Sequence, residues 1–145
     1  MALTSNPPKD LPDLIQKLGH EPSPLTRRWL LLAAKDWWSA ETVTRFYDEA
    51  LRLLHVDIPQ AERLARSAVW LAENLGDESA RAAGMRALGH IFCARRKYEP
   101  ALELYQEAAG IYQRNGHELE LGRTLNGSLQ TLFYLGRYDQ ALEYA

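Results

Sequence analysis

The sequence contains a single cysteine, Cys93, among 145 residues. One thiol can form neither an intramolecular disulfide nor a paired-cysteine metal site, and such sparse use of cysteine is typical of a reducing compartment. Long hydrophobic runs are also lacking: the longest runs from Trp29 to Ala34, whereas a membrane-spanning helix needs roughly 20 apolar residues. The beginning of the chain has neither the basic nor the apolar region of a signal peptide. From these absences we expect a soluble, cytoplasmic chain.

Neither sign of charge dominates: the chain has 17 basic and 19 acidic residues and a formal net charge of −2. A dedicated nucleic-acid binder usually carries a clear basic excess, so this balance argues against that class. β-branched residues are scarce, and apolar residues nowhere alternate with period two, so no β-strand is expected. The fold class predicted from these patterns is all-α.

Proline is concentrated at the beginning of the chain, where five of the seven prolines lie within residues 1–24. This density predicts a partly extended N-terminal segment with one short helix. Pro12 suits the first position of that helix, and Gly19 suits the residue just beyond its end. We therefore expect residues 1–24 to form a segment distinct from the helices that follow.

From residue 25 onward the apolar residues recur at helical spacing. Residues 25–56 are expected to form N-terminal capping helices or a degenerate first helix of the repeats. The adjacent Trp37 and Trp38 cannot both face inward on one helix, so only one of them is expected to close this end of the stack. Asp57 and Asp77 suit N-cap positions, and three glycines suit the residues just past helix ends. These glycines are Gly76, Gly116 and Gly136.

A spacing of forty residues recurs between residues of the same type. The repeated sets are Ala61, Ala101 and Ala141; Ala68 and Ala108; Gly76 and Gly116; and Tyr98 and Tyr138. Self-similarity at a fixed period of this size is the signature of stacked structural units, none of which buries its apolar face alone. Residues 57–145 are therefore predicted to form helical repeats, of which the last begins at Tyr138 and is truncated.

One copy of the repeat, residues 88–108, resembles a tetratricopeptide repeat. The resemblance lies in a Leu-Gly pair followed by an aromatic residue in the first helix, and in an Ala-aromatic-Ala pattern in the second. The residues are Leu88, Gly89, Phe92, Ala101, Tyr105 and Ala108. The resemblance implies a right-handed α-solenoid of antiparallel helix pairs whose concave face binds a protein or peptide. The long repeats are similar to bacterial arrays found in front of caspase-like CHAT protease domains and in bacterial regulators.

The repeat register places several polar and aromatic side chains on the concave face. They are Arg86, His90 and Cys93 from one copy and Arg123, Asn126, Gln130, Phe133 and Tyr134 from the next. Arginine and asparagine at such positions loosely resemble the family's clamp for a peptide carboxylate, which implies a groove for polar or acidic peptide segments. The alternative is that these residues only keep the groove soluble.

Catalytic and metal chemistry find little support in the sequence. His90 and Cys93 stand three apart on one predicted helix and can face the same side, but no third group orients them as a nucleophile and its base. The four histidines are widely separated and show no zinc-binding spacing. The basic residues 95–97 predict a solvated turn, although they also suit contact with phosphate or an acidic protein. No metal, cofactor or enzymatic activity is expected.

The sequence thus predicts a non-catalytic protein–protein interaction module that binds neither nucleic acid nor membrane. The alternative is a sensor or autoinhibitory arm of a larger signalling enzyme, such as a CHAT-type protease, whose chemistry would lie beyond Ala145. Leu142 and Tyr144 belong to a final amphipathic helix without the polar face that usually caps a repeat array. This uncapped end predicts a dimer through the C-terminal face.

Overall fold

The computed structural model describes residues 6–144, which contain eight α-helices, one 3-10 turn and no strand. The all-α prediction is confirmed. The helices are α1 (Leu11–His20), α2 (Pro24–Ala33), α3 (Ala40–Leu53), α4 (Ile58–Leu75), α5 (Glu78–Ala94), α6 (Tyr98–Asn115), α7 (Glu118–Tyr134) and α8 (Tyr138–Tyr144). The 3-10 turn, Lys35–Trp37, joins α2 to α3. No helix in this part of the chain is both long and apolar enough to cross a membrane.

Several helix ends form where the sequence places caps. The side chains of Asp57 and Asp77 accept backbone N–H groups in the first turns of α4 and α5. Gly76 and Gly116 follow α4 and α6 with φ of +66° and +73°, in the left-handed region that glycine enters without steric cost. These predicted caps are confirmed, and they fix the lengths of the central helices.

Helix α1 differs from its prediction. It begins after an N-cap at Asp10 and includes Gly19, so the expectation that this glycine lies beyond the helix end is wrong. Gly19 is buried against α4, where a Cβ would lie 3.2 Å from Oε1 of Gln60. The described part of the predicted 1–24 segment therefore contains a helix packed onto the fold. Residues 1–5 of that segment, like the last residue of the predicted repeats, lie outside the described residues.

Consecutive central helices run in opposite directions. Glu62, near the start of α4, forms an ion pair of 3.1 Å with Arg95, just past the end of α5. Ser79, at the start of α5, accepts a hydrogen bond of 3.2 Å from the side chain of Asn115, at the end of α6. Helix α3 also contacts α5, and α5 contacts α7. These three helices therefore stand side by side, and this arrangement creates the groove described below.

The forty-residue spacing is a structural period, because α4, α6 and α8 begin at residues 58, 98 and 138. Ala61, Ala101 and Ala141 occupy the same position in these helices, and each is at most 1% exposed. Protein interiors are close-packed, so a buried methyl side chain at a helix contact allows the backbones to approach. The repeated alanines are therefore contact residues of the core.

Trp37 and Trp38 are both half-buried against the main core. Nε1 of Trp38 donates a hydrogen bond of 2.8 Å to the carbonyl of Leu31. Its ring meets the Trp70 ring edge-on, with the centroids 5.7 Å apart. The expectation that only one of the pair packs inward is wrong, because the two residues lie at a 3-10 turn rather than in an α-helix.

Candidate functional site

A cleft of about 650 Å³ lies between α3, α5 and α7, and we call it the central groove. Leu51 of α3 lines one side, His90 of α5 lines the middle, and Gln130 and Tyr134 of α7 line the other side. Tyr105 of α6 forms its floor, since it lines the cleft and yet is only 1% exposed. The groove is therefore built from four helices rather than from one loop.

The ring of Tyr105 is held between two glycines on neighbouring helices. A Cβ on Gly89 of α5 would lie 2.7 Å from Cε1 of the ring, and a Cβ on Gly127 of α7 would lie 3.0 Å from it. A methyl group at residue 89 would overlap the ring, and one at residue 127 would fit only if the ring moved by a few tenths of an ångström. The two glycines therefore decide where the phenol hydroxyl stands in the groove.

The Tyr105 hydroxyl belongs to a small polar cluster at the floor. Its Oη lies 2.7 Å from Nδ1 of His90, and Sγ of Cys93 lies 3.3 Å from Oγ1 of Thr131. Thr131 donates its own proton to the carbonyl of Gly127 at 2.8 Å, so it accepts from the Cys93 thiol. The phenol can then donate to Nδ1 of a neutral His90, which leaves an N–H on Nε2.

Burial keeps this cluster uncharged. Burial, with a smaller contribution from the positive charge of Arg86, lowers the pKa of His90 from 6.5 to about 4. Burial raises the pKa of the Tyr105 hydroxyl well above its ordinary range. At neutral pH the pair is a neutral imidazole bonded to a neutral phenol. The Tyr105 hydroxyl therefore lies at Nδ1 of His90 and also 3.8 Å from Sγ of Cys93, so it stands between these two side chains.

Arg86 lies one helical turn before His90 and is only 8% exposed. Its Nη2 donates to Oη of Tyr47 at 2.9 Å, and its guanidinium lies 5.5 Å and 5.9 Å from the ring centres of Tyr47 and Tyr112. Nε and Nη1 are buried and have no acceptor among the described residues. Arg86 is therefore a buried cation in contact with aromatic rings. The sequence predicted it as an exposed binding side chain on the concave face, but it lies beneath that face.

The groove brings together four of the predicted concave-face residues: His90, Cys93, Gln130 and Tyr134. Arg123 and Asn126 are exposed on α7, one turn before the residues that line the groove. Phe133 does not line it; its ring packs against Tyr138 of α8 instead, with the centroids 5.8 Å apart. The 3.6-residue turn of the helix explains this placement, because it rotates Phe133 away from the side of α7 that carries Gln130 and Tyr134.

Sequence reasoning missed Tyr98 and Tyr105, which line the groove, and Tyr47, which contacts Arg86. The Tyr98 ring stacks on Tyr134, with the centroids 5.1 Å apart and the planes 13° from parallel, and both line the groove. The lining includes Arg96 and no acidic residue. One signal was present in the sequence: two glycines inside predicted helices, at 89 and 127, indicate that a large side chain approaches both backbones.

Among residues 6–144, no three His, Cys, Asp or Glu side chains are placed to hold a metal ion. The groove thus offers neutral hydrogen-bonding groups, aromatic rings and positive charge. No protein-family model matches the chain, and neither a curated protein nor a solved structure matches it significantly. The tetratricopeptide resemblance therefore stays a prediction that rests on the residues themselves.

Proposed function

We propose that this chain is a non-catalytic protein-interaction module that binds an acidic peptide segment in the central groove. In this proposal the helices form a right-handed solenoid of the tetratricopeptide type, with α3, α5 and α7 on its concave face, in a reducing cytoplasm. The contacts between these three helices support that arrangement. An open groove along several helices suits an extended chain better than a compact small molecule.

The observation that carries the proposal is the uncompensated charge of Arg86. No carboxylate lies within 4 Å of this buried guanidinium among the described residues. A charge in a poorly polarisable surrounding acts over a longer distance than one in water. Arg96 in the groove lining and the exposed Arg123 add the same sign. An acidic side chain or a terminal carboxylate of a peptide offsets this excess.

The other lining groups suit the remainder of a peptide. Leu51 and the stacked rings of Tyr98 and Tyr134 offer apolar surface to side chains. Gln130 offers both an amide N–H and a carbonyl to a peptide backbone, and Nε2 of His90 offers a donor when Tyr105 holds the other nitrogen. This mixture of aromatic anchors and adaptable polar groups is common at peptide-binding surfaces.

Selection from a random peptide library displayed on phage tests the proposal, followed by fluorescence anisotropy with the selected peptides. We expect the selected peptides to be enriched in Asp and Glu. The double variant Arg123→Glu/Gln130→Glu should weaken their binding by about tenfold or more, because charge-assisted contacts contribute roughly 1.5–3 kcal/mol. Arg114→Ala, an exposed arginine of α6 outside the groove lining, is the matched control. Equal binding by the double variant and the wild type would rule out the groove.

A second candidate function has its own observation. Phe133, Tyr138 and Leu142 are 49%, 59% and 71% exposed around α8, and an apolar surface of this kind favours contact with another polypeptide. In this candidate the chain is a sensor arm that packs against another domain of a larger signalling enzyme. An immunoblot of the host with an antibody against this chain tests it: a band well above 16.5 kDa supports the arm. A band at that mass contradicts it.

A further inference from the structure

A second cleft, of about 550 Å³, lies between α2 and α4 and shares no lining residue with the central groove. Its charged lining consists of five arginines and two glutamates, an excess of three positive charges. We call it the arginine cleft, and its arginines are Arg27, Arg28, Arg63, Arg66 and Arg95. In a chain whose total charge is −2, this local excess is a concentrated electrostatic feature.

One of the two carboxylates is already shared between two arginines. Glu62 accepts a bond of 3.0 Å from Nε of Arg66 through one oxygen and pairs with Nε of Arg95 at 3.1 Å through the other. The remaining three arginines, at 27, 28 and 63, have no carboxylate within 4 Å among residues 6–144. The unneutralised charge therefore lies on the α2 side of the cleft and at the start of α4.

Backbone carbonyls hold two of these three guanidinium groups in place. Nη1 of Arg27 donates to the carbonyls of Glu21 and Pro22 at 2.8 Å and 3.0 Å, and Arg27 is only 7% exposed. Nη1 of Arg63 donates to the carbonyl of Gly19 at 3.0 Å. Neutral carbonyls orient the guanidinium without cancelling its charge. The cleft thus has fixed donors before any ligand arrives, which lowers the ordering cost of binding.

The positive charges of the arginines in this cleft repel one another unless an anion offsets them. Burial, followed by the positive charges of Arg63 and Arg66, lowers the pKa of Arg27. A guanidinium that is buried beside other guanidiniums is a costly arrangement unless something offsets it. An anion with several acceptor oxygens offsets it best, because the planar fork of arginine matches phosphate geometry with two parallel hydrogen bonds.

Apart from Ser67, the rest of the cleft lining is apolar. Trp70, Leu31 and Val69 line it, and the Trp70 ring is held from another side by the edge-on contact with Trp38. The volume of about 550 Å³ lies within the range of small-molecule sites, which is roughly 300–1,000 Å³. A ligand that fits must therefore combine a strongly anionic end with a flat, apolar part.

We propose that the arginine cleft binds a nucleotide, with its phosphates on the arginines at 27, 28 and 63 and its base against Trp70. The phosphates supply the negative charge that these three guanidinium groups lack, and the base supplies a planar surface that can lie against the indole of Trp70. This site is independent of the peptide groove, so either can be tested without the other.

Isothermal titration calorimetry on the full chain tests the inference, with ATP, tripolyphosphate and inorganic phosphate as probes. We expect ATP to bind with a Kd of roughly 10–100 µM and more tightly than tripolyphosphate. Arg28→Glu should weaken ATP binding about tenfold or more, because it replaces a charge-assisted donor by a like charge. Arg28 is exposed and has no ion pair among the described residues, so this variant keeps its fold.

Arg114→Ala is the control here as well, since it removes an exposed arginine outside the arginine cleft. Arg66→Glu provides a second variant, on α4 rather than α2, and should also weaken ATP binding. Three results would overturn the inference: no heat with millimolar ATP, equal affinity for ATP and tripolyphosphate, or unchanged affinity in both glutamate variants. Peptide binding in the central groove should be the same in these variants, so failure here is distinguishable from failure of the proposed function.

Discussion

The ring of Tyr105 lies against Gly89 without space for a methyl group between them. A Cβ on residue 89 would stand 2.7 Å from Cε1 and 2.9 Å from Cζ of the ring, distances at which the atoms overlap. The glycine of α5 and the tyrosine of α6 therefore depend on each other. Their contact also sets the phenol hydroxyl against His90, and so it links helix packing to the floor of the groove.

Gly89→Ala should lower the free energy of unfolding by about 1–3 kcal/mol, because the new methyl group overpacks a close-packed contact. Gly122→Ala is the matched control: it lies in α7 with nothing within 4 Å of its Cβ position. That substitution should raise the free energy of unfolding by about 0.5–1 kcal/mol through helix propensity. Urea denaturation measures both. Stabilisation by both substitutions would contradict the contact with Tyr105.

Because of His90, the free energy of unfolding should decrease as the pH is lowered from neutral. Its folded pKa of about 4 lies below the ordinary 6.5, so between these values the unfolded chain binds a proton that the folded chain does not. The free energy of unfolding therefore decreases as pH falls through this window. The expected loss from pH 7 to pH 5 is up to about 2 kcal/mol from this group.

His90→Gln is the comparison for the pH dependence, because its amide oxygen can still accept from Tyr105. The difference in unfolding free energy between wild type and variant should narrow or reverse from pH 7 to pH 5. Carboxylates titrate in both proteins and cancel in the difference. A difference that stays constant over this range would mean that His90 titrates as it does in water.

The ends of the central helices could be predicted from the sequence because each depends on a local signal. The Asp57 side chain accepts an N–H group from the first turn of its own helix, and Gly76 adopts a positive φ at its own position. Both signals are therefore local. Gly19 shows where local reasoning fails: its glycine signal is the same, but its cause is the approach of Gln60 on another helix. A contact between positions 41 residues apart leaves no mark in the local pattern.

The sequence could predict which helix faces contribute to the site, but not which side chains on them are exposed. Helical spacing placed His90 and Gln130 toward the groove, and the structure has both there. The burial of Arg86 depends on Tyr47 and Tyr112, which are distant in sequence and reach it only after the helices pair. Exposed and buried arginines have the same periodicity, so the sequence could not tell a surface donor from a buried cation.

Arg86→Met should raise the free energy of unfolding by about 1 kcal/mol, because a buried cation without a carboxylate partner is often less stable than an apolar side chain of similar size. The same variant should weaken binding of acidic peptides, since it removes positive charge beneath the groove. Thermal unfolding and anisotropy together measure the two effects. Loss of stability with unchanged peptide binding would give Arg86 a purely structural role.

The exposed apolar residues around α8 predict self-association. Leu142 and Tyr138 are 71% and 59% exposed, and burying them between two copies removes apolar area from water. Sedimentation equilibrium over a concentration series should show a dimer for the wild type and a monomer for Leu142→Glu. Leu25→Glu, which changes a leucine that is 72% exposed on α2, should leave the dimer intact. A wild type that stays monomeric throughout would refute the dimer.

The starts of α4, α6 and α8 at residues 58, 98 and 138 make residues 98–137 a natural cassette for protein engineering. A duplicate inserted after residue 137 would begin with a tyrosine where the chain already has one. Each insertion would add two helices and, since every second helix stands side by side, lengthen the array by about one interaxial distance, roughly 8–10 Å. The reach of the molecule could then be adjusted in discrete steps by copying this one segment.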